Sequence, residues 1–230
     1  MLASVVVALL AAQITPAPPM ADIDDVVVTG ARQVFRLDGR AFRAAKAEFD
    51  AQRGRYAPSA TLRFIARGAA GATAIPLRIA VTDGTRKMYI NLDADGAFDL
   101  PELPARKWWL EVNRPESAVR IEPLTLSSSS TRQDYRLGDA RLQCRVFWSM
   151  EKAMAPLLAA PAVAIFKIAG PCTSKRIGIY VTAPSGTKAG SVQEGVKTLP
   201  VWLSPSKRSY RLPIDDKSLS NEARVKIVTG

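Results

Sequence analysis

The 230-residue sequence contains no histidine. Hydrolases of the Ser-His-Asp and Cys-His types need an imidazole as general base, and many zinc sites use imidazole ligands. Histidine is also the side chain that ordinarily changes charge near neutral pH. Its absence therefore excludes these catalytic classes, histidine-based zinc sites and histidine-based pH switching.

The sequence also lacks an apolar run long enough to cross a bilayer as a helix, which takes ~20 residues. The apolar residues 1–12 are short, and Thr15-Pro16-Ala17-Pro18-Pro19 follows them. This arrangement predicts a secretory signal peptide over residues 1–21, although a buried N-terminal helix is the alternative. The segment Val26-Val27-Val28-Thr29-Gly30 resembles one near the mature N-terminus of TonB-dependent receptors. We therefore predict a periplasmic or secreted protein of the Gram-negative cell envelope, without a membrane span.

Cysteine is scarce, with Cys144 and Cys172 as the only two. In an oxidising compartment an even pair most simply forms a disulfide. A redox or metal role would need a Cys-x-x-Cys motif, a histidine or a third thiol, and the sequence has none of these. We predict a Cys144–Cys172 disulfide, which would add roughly 3–4 kcal/mol of stability by restricting the unfolded chain.

Acidic residues are too few to balance the basic ones: 32 Lys and Arg face 21 Asp and Glu, a formal charge of +11. Such an excess favours polyanionic partners, although dispersed arginines are also typical of solvated strand faces. Export would separate the chain from nucleic acid. We therefore expect a partner in the envelope, either a protein or an anionic polymer or lipid surface, and no nucleic acid.

A single amphipathic helix is predicted near the N-terminus, within an arm that spans residues 22–57. Asp38 is suited to cap a helix over residues 39–53, in which Phe42, Ala45 and Phe49 share one face. This face could lie on a membrane surface or pack against the following domain. The second interpretation is favoured, because two aromatic residues and small alanines make a weak membrane anchor.

From Thr61 onwards the apolar pattern changes to short runs with a period of two. Turn residues separate these runs, which favours a β-sandwich over βαβ units. Trp108 and Trp109 are adjacent in one run, so we expect one in the core and the other at the surface. The loose segment after Ser127 predicts a domain boundary, with a first β-sandwich domain over residues 58–138. The predicted strands cover residues 61–67, 77–82, 87–92, 97–100, 107–112 and 119–126.

The second half of the chain follows a similar plan and predicts a second β-sandwich domain over residues 139–230. Its runs at residues 163–169, 177–182, 203–213 and 223–227 correspond in order to runs of the first half, although patterns common to all β-sandwiches could also produce this order. We expect Cys144 on a strand over residues 142–148, followed by a helix over residues 150–161. The predicted fold class is thus mainly β, with two tandem β-sandwich domains of the immunoglobulin-like kind after a short N-terminal helix.

One stretch carries a family resemblance. Residues 93–104 read Asp-Ala-Asp-Gly-Ala-Phe-Asp-Leu-Pro-Glu-Leu-Pro, and residues 108–112 continue with Trp-Trp-Leu-Glu-Val. This pattern resembles the transthyretin-like or carboxypeptidase-regulatory-like β-sandwich modules, although Arg106-Lys107-Trp108 replaces their usual Gly-x-Tyr. The whole arrangement is also similar to uncharacterised exported proteins of alphaproteobacteria. The resemblance implies a non-catalytic scaffold or binding role and identifies no site residue.

The motif Asp93-x-Asp95-Gly96 superficially matches the start of a calcium loop. An EF-hand needs a further ligand, a glycine and a glutamate at set positions after it. Here these positions hold Ala97, Phe98 and Pro104. We therefore interpret the motif as a hairpin turn, and we predict no metal site and no cofactor.

Ser149 and Lys152 match the Ser-x-x-Lys pattern, in which the lysine activates a serine nucleophile one helical turn away. Ser204 and Lys207 match it too, which shows how readily the pattern occurs. The partner motifs of the penicillin-binding fold are absent. We predict no catalytic residue and retain Ser149 and Lys152 as candidates.

Together these features predict a non-enzymatic protein of the cell envelope. We expect it to bind a protein partner or an anionic envelope component through its strand edges or its basic surface. The alternative function is a small serine hydrolase that uses Ser149 and Lys152.

Overall fold

The computed structural model describes residues 34–68, 76–102, 106–155, 170–174 and 180–230. In these ranges the chain is mainly β, as predicted, with fourteen strands in four sheets and two α-helices. The predicted signal peptide, the Val26–Thr29 run and the strand predicted at residues 163–169 lie outside the described residues.

The first β region contains helix α1 and two antiparallel sheets, ordered β1-β6-β3-β4 and β5-β2-β7. All six strands predicted for this part of the sequence are present. Turn residues separate the short apolar runs and end each strand. A short 3-10 helix, Glu116–Ala118, precedes the last strand. The elements are β1 (Phe35–Asp38), α1 (Gly39–Tyr56), β2 (Ala60–Gly68), β3 (Ile79–Thr82), β4 (Lys87–Ile90), β5 (Ala97–Phe98), β6 (Trp109–Val112) and β7 (Val119–Ser127).

Helix α1 packs its apolar face into the core of this region, which confirms the favoured interpretation. The Asp38 side chain accepts a hydrogen bond of 2.8 Å from the Arg40 backbone N–H and caps the helix. Phe42 is buried, and its ring centroid lies 5.0 Å from that of Phe64 and 5.5 Å from that of Trp108. Trp108 is fully buried, as expected for one of the two tryptophans.

The turn at Asp93–Gly96 is not the hairpin turn that the sequence predicted. Strand β4 before it pairs with β3, whereas β5 after it pairs with β2 in the other sheet. The Asp93 carboxylate accepts from the N–H groups of Asp95 and Ala97, and Gly96 adopts a φ of +79°. This chemistry closes a tight turn, but it does not determine which strand the chain joins next.

The second β region contains two further antiparallel sheets, ordered β11-β10-β14-β8 and β12-β13-β9. A helix, α2, follows its first strand. The elements are β8 (Asp134–Arg136), α2 (Leu137–Met154), β9 (Tyr180–Thr182), β10 (Thr187–Glu194), β11 (Lys197–Pro200), β12 (Trp202–Leu203), β13 (Ser209–Arg211) and β14 (Arg224–Thr229).

The strand predicted over residues 142–148 is wrong, because these residues form the middle of α2. Leu142, Val146 and Met150 are buried on one face of the helix, and Ala140 and Cys144 are buried on another. A helix buried on two faces produces an alternation of apolar and polar residues, which has the period of a strand. The alternation at residues 142–148 therefore predicts a strand where the chain forms a helix.

The two buried faces of α2 belong to different hydrophobic cores. Leu142, Val146 and Met150 join the core of the first β region, whereas Ala140 and Cys144 join that of the second. The helix therefore packs against both regions, and residues 32–230 form one compact unit. None of the helices in the described ranges is long and apolar enough to cross a membrane.

Candidate functional site

A cavity of about 320 Å³ lies where the two β regions meet. Sheet β5-β2-β7, helix α2, strand β8 and sheet β12-β13-β9 all contribute to its wall. Ligand sites typically occur in concave, mostly apolar cavities of at least about this size. We therefore treat this cavity as the candidate site.

Strand β7 and helix α2 provide the apolar walls. Alternate residues of β7 face the core of the first β region, which leaves Leu124 and Leu126 to face the cavity. From α2, Ala140 and Phe147 lie two helical turns apart on the cavity side. These side chains provide an apolar surface for a hydrocarbon group.

Three arginines and one glutamate are the charged residues among the described cavity-lining residues. Arg67 and Arg120 lie directly opposite each other on β2 and β7, and their like charges would repel. Glu122 bridges them, at 3.2 Å from Arg67 and 3.4 Å from Arg120. Arg132 pairs instead with Asp95 at 3.3 Å, and Asp95 is not among the residues that line the cavity. The cavity lining thus carries more positive than negative charge.

Two buried tyrosines lie at the cavity wall. The hydroxyl of Tyr135 on β8 and that of Tyr210 on β13 are 2.6 Å apart and share a hydrogen bond, which joins the two sheets of the second β region. Burial raises the pKa of Tyr135 well above its ordinary value and also raises the pKa of Tyr210, which Arg67 and Arg132 partly oppose. Both phenols are therefore protonated at neutral pH.

A second cavity of about 460 Å³ adjoins the first and shares Arg67, Arg120 and Glu122 with it. Its wall also includes Glu151 on α2, a half-buried carboxyl whose pKa is raised by burial. The Arg67–Glu122–Arg120 cluster therefore separates an apolar, net positive cavity from a neighbouring cavity that contains more acidic residues.

The candidate catalytic residues Ser149 and Lys152 lie one turn apart on α2 and have different surroundings. Ser149 donates its hydroxyl proton to the Ala44 carbonyl oxygen of α1 at 3.2 Å, whereas Lys152 is exposed. Lys152 lines a third, smaller cavity of about 190 Å³ beside Cys172, and Ser149 is not among the described residues that line it. The Ser149 hydroxyl is thus used in packing α2 against α1.

The sulfur atoms of Cys144 and Cys172 are 2.01 Å apart, which is the disulfide distance that the sequence predicted. Cys144 lies on α2 and lines the cavity, and Cys172 lies in the turn at residues 170–173. The disulfide therefore fixes this turn to the helix that forms one cavity wall. Within the described ranges, no three His, Cys, Asp or Glu side chains converge where a metal ion could be held.

Sequence reasoning did not identify the charged and phenolic residues of the cavity. They are far apart along the chain and match no motif; the partners Tyr135 and Tyr210 are separated by 75 positions. The sequence signal was indirect. Arg67 and Arg120 occupy the polar positions of two predicted strands, where they are expected to face solvent, and only the second β region places them beside a cavity.

Comparisons of the chain with protein-family models, with curated proteins and with solved structures found no match.

Proposed function

We propose that this protein is a non-enzymatic binding protein of the cell envelope and that its cavity binds an anionic amphiphile. The ligand class is a single acyl chain with an acidic head group, which is more specific than the anionic envelope component expected from the sequence and differs from a polymer or lipid surface. The observation that carries this proposal is the combination of apolar walls and surplus arginines in one cavity.

The chemistry of the cavity supports an amphiphile over a purely polar ligand. Leu124, Leu126 and Phe147 would cover hydrocarbon, and apolar surface removed from water contributes roughly 25 cal/mol per Å². Arg67 and Arg132 have side chains that are only 24% and 25% exposed, so their charges are screened less than those of surface arginines. A carboxylate suits these groups better than an ammonium does.

The disulfide-distance pair supports a location outside the cytoplasm, since disulfides persist in oxidising compartments. The signal peptide over residues 1–21 stays a prediction that agrees with this location. We also propose that the two β regions are transthyretin-like sandwich modules, for which the presence of two antiparallel sheets in each region is the support.

Isothermal titration calorimetry with three ligands of equal chain length tests the binding function. We expect laurate to bind with one-to-one stoichiometry, lauryl alcohol to bind more weakly, and laurylamine to bind at least about tenfold more weakly than laurate. Arg132→Gln should weaken laurate binding. Arg43→Gln, which removes the same charge from an exposed position on α1, is the matched control and should have no effect.

A second variant tests whether binding occurs in this cavity. Ala140→Leu would add apolar volume to the wall of the cavity and should reduce the affinity for both laurate and lauryl alcohol. The proposal is overturned if laurylamine binds as tightly as laurate, or if no ligand of the three binds to the wild-type protein.

A further inference from the structure

We propose that the hydroxyl pair of Tyr135 and Tyr210 is the hydrogen-bond donor for the acidic head of the ligand, so that the ligand binds with its head inside and its tail toward the opening. This inference rests on the proposed function. It assigns a donor, an orientation and a head-group chemistry, namely an oxyanion such as a carboxylate.

Hydrogen-bond counting provides the first argument. Two phenolic hydroxyls carry two protons, and the 2.6 Å contact between them uses one. Neither hydroxyl has another partner among the described residues, which leave one proton without an acceptor. Tyr135 and Tyr210 are 7% and 2% exposed, and a buried donor without an acceptor is unfavourable. Because both residues line the cavity, a ligand oxygen there would accept this proton.

Electrostatics provides the second argument. Arg67 and Arg132 lie close enough to Tyr210 to favour a negative charge at its hydroxyl, and they would equally favour a carboxylate beside it. The buried Asp139 carboxylate disfavours a negative charge at Tyr135, so the acidic head is favoured on the Tyr210 side of the pair; Asp139 is not among the residues that line the cavity.

Glu122 and Asp95 do not cancel the effect of the two arginines at Tyr210. Glu122 is shared with Arg120, and the Asp95 side chain is 66% exposed, where solvent screens its charge.

A pair of exposed aromatic rings beside the cavity provides the third argument. The lining residue Arg120 is exposed as well, but its charge is paired with Glu122. Tyr180 lines the cavity and is 57% exposed, and its ring centroid lies 5.6 Å from that of Trp202, which is 51% exposed. Exposed aromatic rings of this kind cover hydrocarbon better than they solvate a carboxylate. A ligand with its head at the tyrosine pair would extend its tail along Leu126 toward these rings.

The double variant Tyr135→Phe/Tyr210→Phe tests the assigned donor, since either tyrosine alone could still donate to the ligand. We expect laurate affinity to fall by about 10- to 100-fold, with a much smaller change for lauryl alcohol. Tyr89→Phe, on the exposed edge strand β4, is the matched control and should bind both ligands like the wild type. Circular dichroism and thermal unfolding establish that each variant is folded.

A second measurement tests the orientation in the wild-type protein and does not depend on the variants. Laurate with a nitroxide label at its methyl end should broaden the NMR signal of the Trp202 indole and leave the side-chain signals of Tyr135 and Tyr210 sharp. The opposite pattern, or an unchanged preference for laurate over lauryl alcohol in the double variant, overturns the inference. Failure of the wild-type protein to bind laurate would instead overturn the proposed function.

Discussion

The two β regions obtain their cohesion from different sources. The first region has a core of large, fully buried aromatic side chains, including Phe42, Phe98 and Trp108. The second region has a smaller core, in which the bonded pair Cys144 and Cys172 packs beside the hydrogen-bonded Tyr135 and Tyr210. One region relies on apolar volume, and the other relies on a covalent link and a polar contact.

This difference explains how the second region can line a cavity and remain folded. A small core buries too little apolar surface to be stable on that basis alone, and a disulfide is a common supplement. The second region therefore does not need close packing everywhere, and its Tyr135, Tyr210 and Cys144 all line the cavity. The first region supplies most of the buried apolar surface, and the second supplies most of the site.

Among the variants that test this comparison, Phe42→Ala in the core of the first region is expected to lower the free energy of unfolding most. Phe42 is 1% exposed and contacts two aromatic rings, so its truncation should lower the free energy of unfolding by about 3–5 kcal/mol. Phe147→Ala, at the cavity wall, should cost only about 1 kcal/mol. Urea denaturation measures both, and equal losses would contradict the proposed division between a packed core and a cavity wall.

Removing the disulfide should have the next largest effect, and the effect should be local to the second region. Cys144→Ala/Cys172→Ala should lower the free energy of unfolding by about 2–4 kcal/mol. The chain between the two cysteines becomes less restricted in partly unfolded states that open the second region as well as in the fully unfolded chain. Hydrogen exchange should show faster exchange in β10 and β14 than in β2 and β3. Adding a reductant to the wild-type protein should reproduce the change, and adding it to the variant should do nothing further. Uniform acceleration across both regions would contradict this expectation.

Of these three changes, a substitution of Glu111 in the first region is expected to lower the free energy of unfolding least. The hydrogen bond from Lys87, together with those from Arg36, holds the pKa of Glu111 below its usual value although burial opposes this. A carboxyl whose pKa is lower in the folded state stabilises the fold above its unfolded pKa, and this contribution is lost as the pH falls through the folded value.

Glu111→Gln should therefore lower the free energy of unfolding by about 1–3 kcal/mol at neutral pH. The difference from wild type should shrink as the pH falls below about 4, where the wild-type carboxyl becomes protonated. Urea titrations at neutral and acidic pH measure this, with the exposed Glu116→Gln as control. A difference that stays constant with pH would show that Glu111 acts through packing and not through its charge. Tyr135 and Tyr210 of the second region do not change charge at acidic pH. Acid should therefore weaken the Glu111 contact of the first region and leave the tyrosine contact of the second unchanged.

The parts of the fold that local chemistry determines could be predicted from the sequence. Asp38 caps α1 as expected, and the six strands that the sequence predicts for the first region are present, whereas its remaining strand, β1, was not predicted. The apolar period of two failed as a guide for α2, because burial on two faces imitates the period of a strand. At Asp93 the local turn was correct and the pairing of the next strand was not, since pairing depends on distant residues.

The candidate site could not be predicted for a related reason. Arg67 and Arg120 have the sequence context of solvated strand positions, and Tyr135 and Tyr210 have that of ordinary core residues. Each becomes part of a site only when the second region is placed against β7 and α2. Only the disulfide was accessible beforehand, because pairing two cysteines requires no knowledge of the fold.

The position of α2 has a consequence for dissecting the protein into fragments. A piece that ends at Ser127 would leave the surfaces of α1 and β7 uncovered, and a piece that begins at Leu137 would expose Leu142, Val146 and Met150 to water. Each fragment alone should therefore aggregate or unfold. Mixed together, they should reassociate through the helix, as complementing halves of one folding unit.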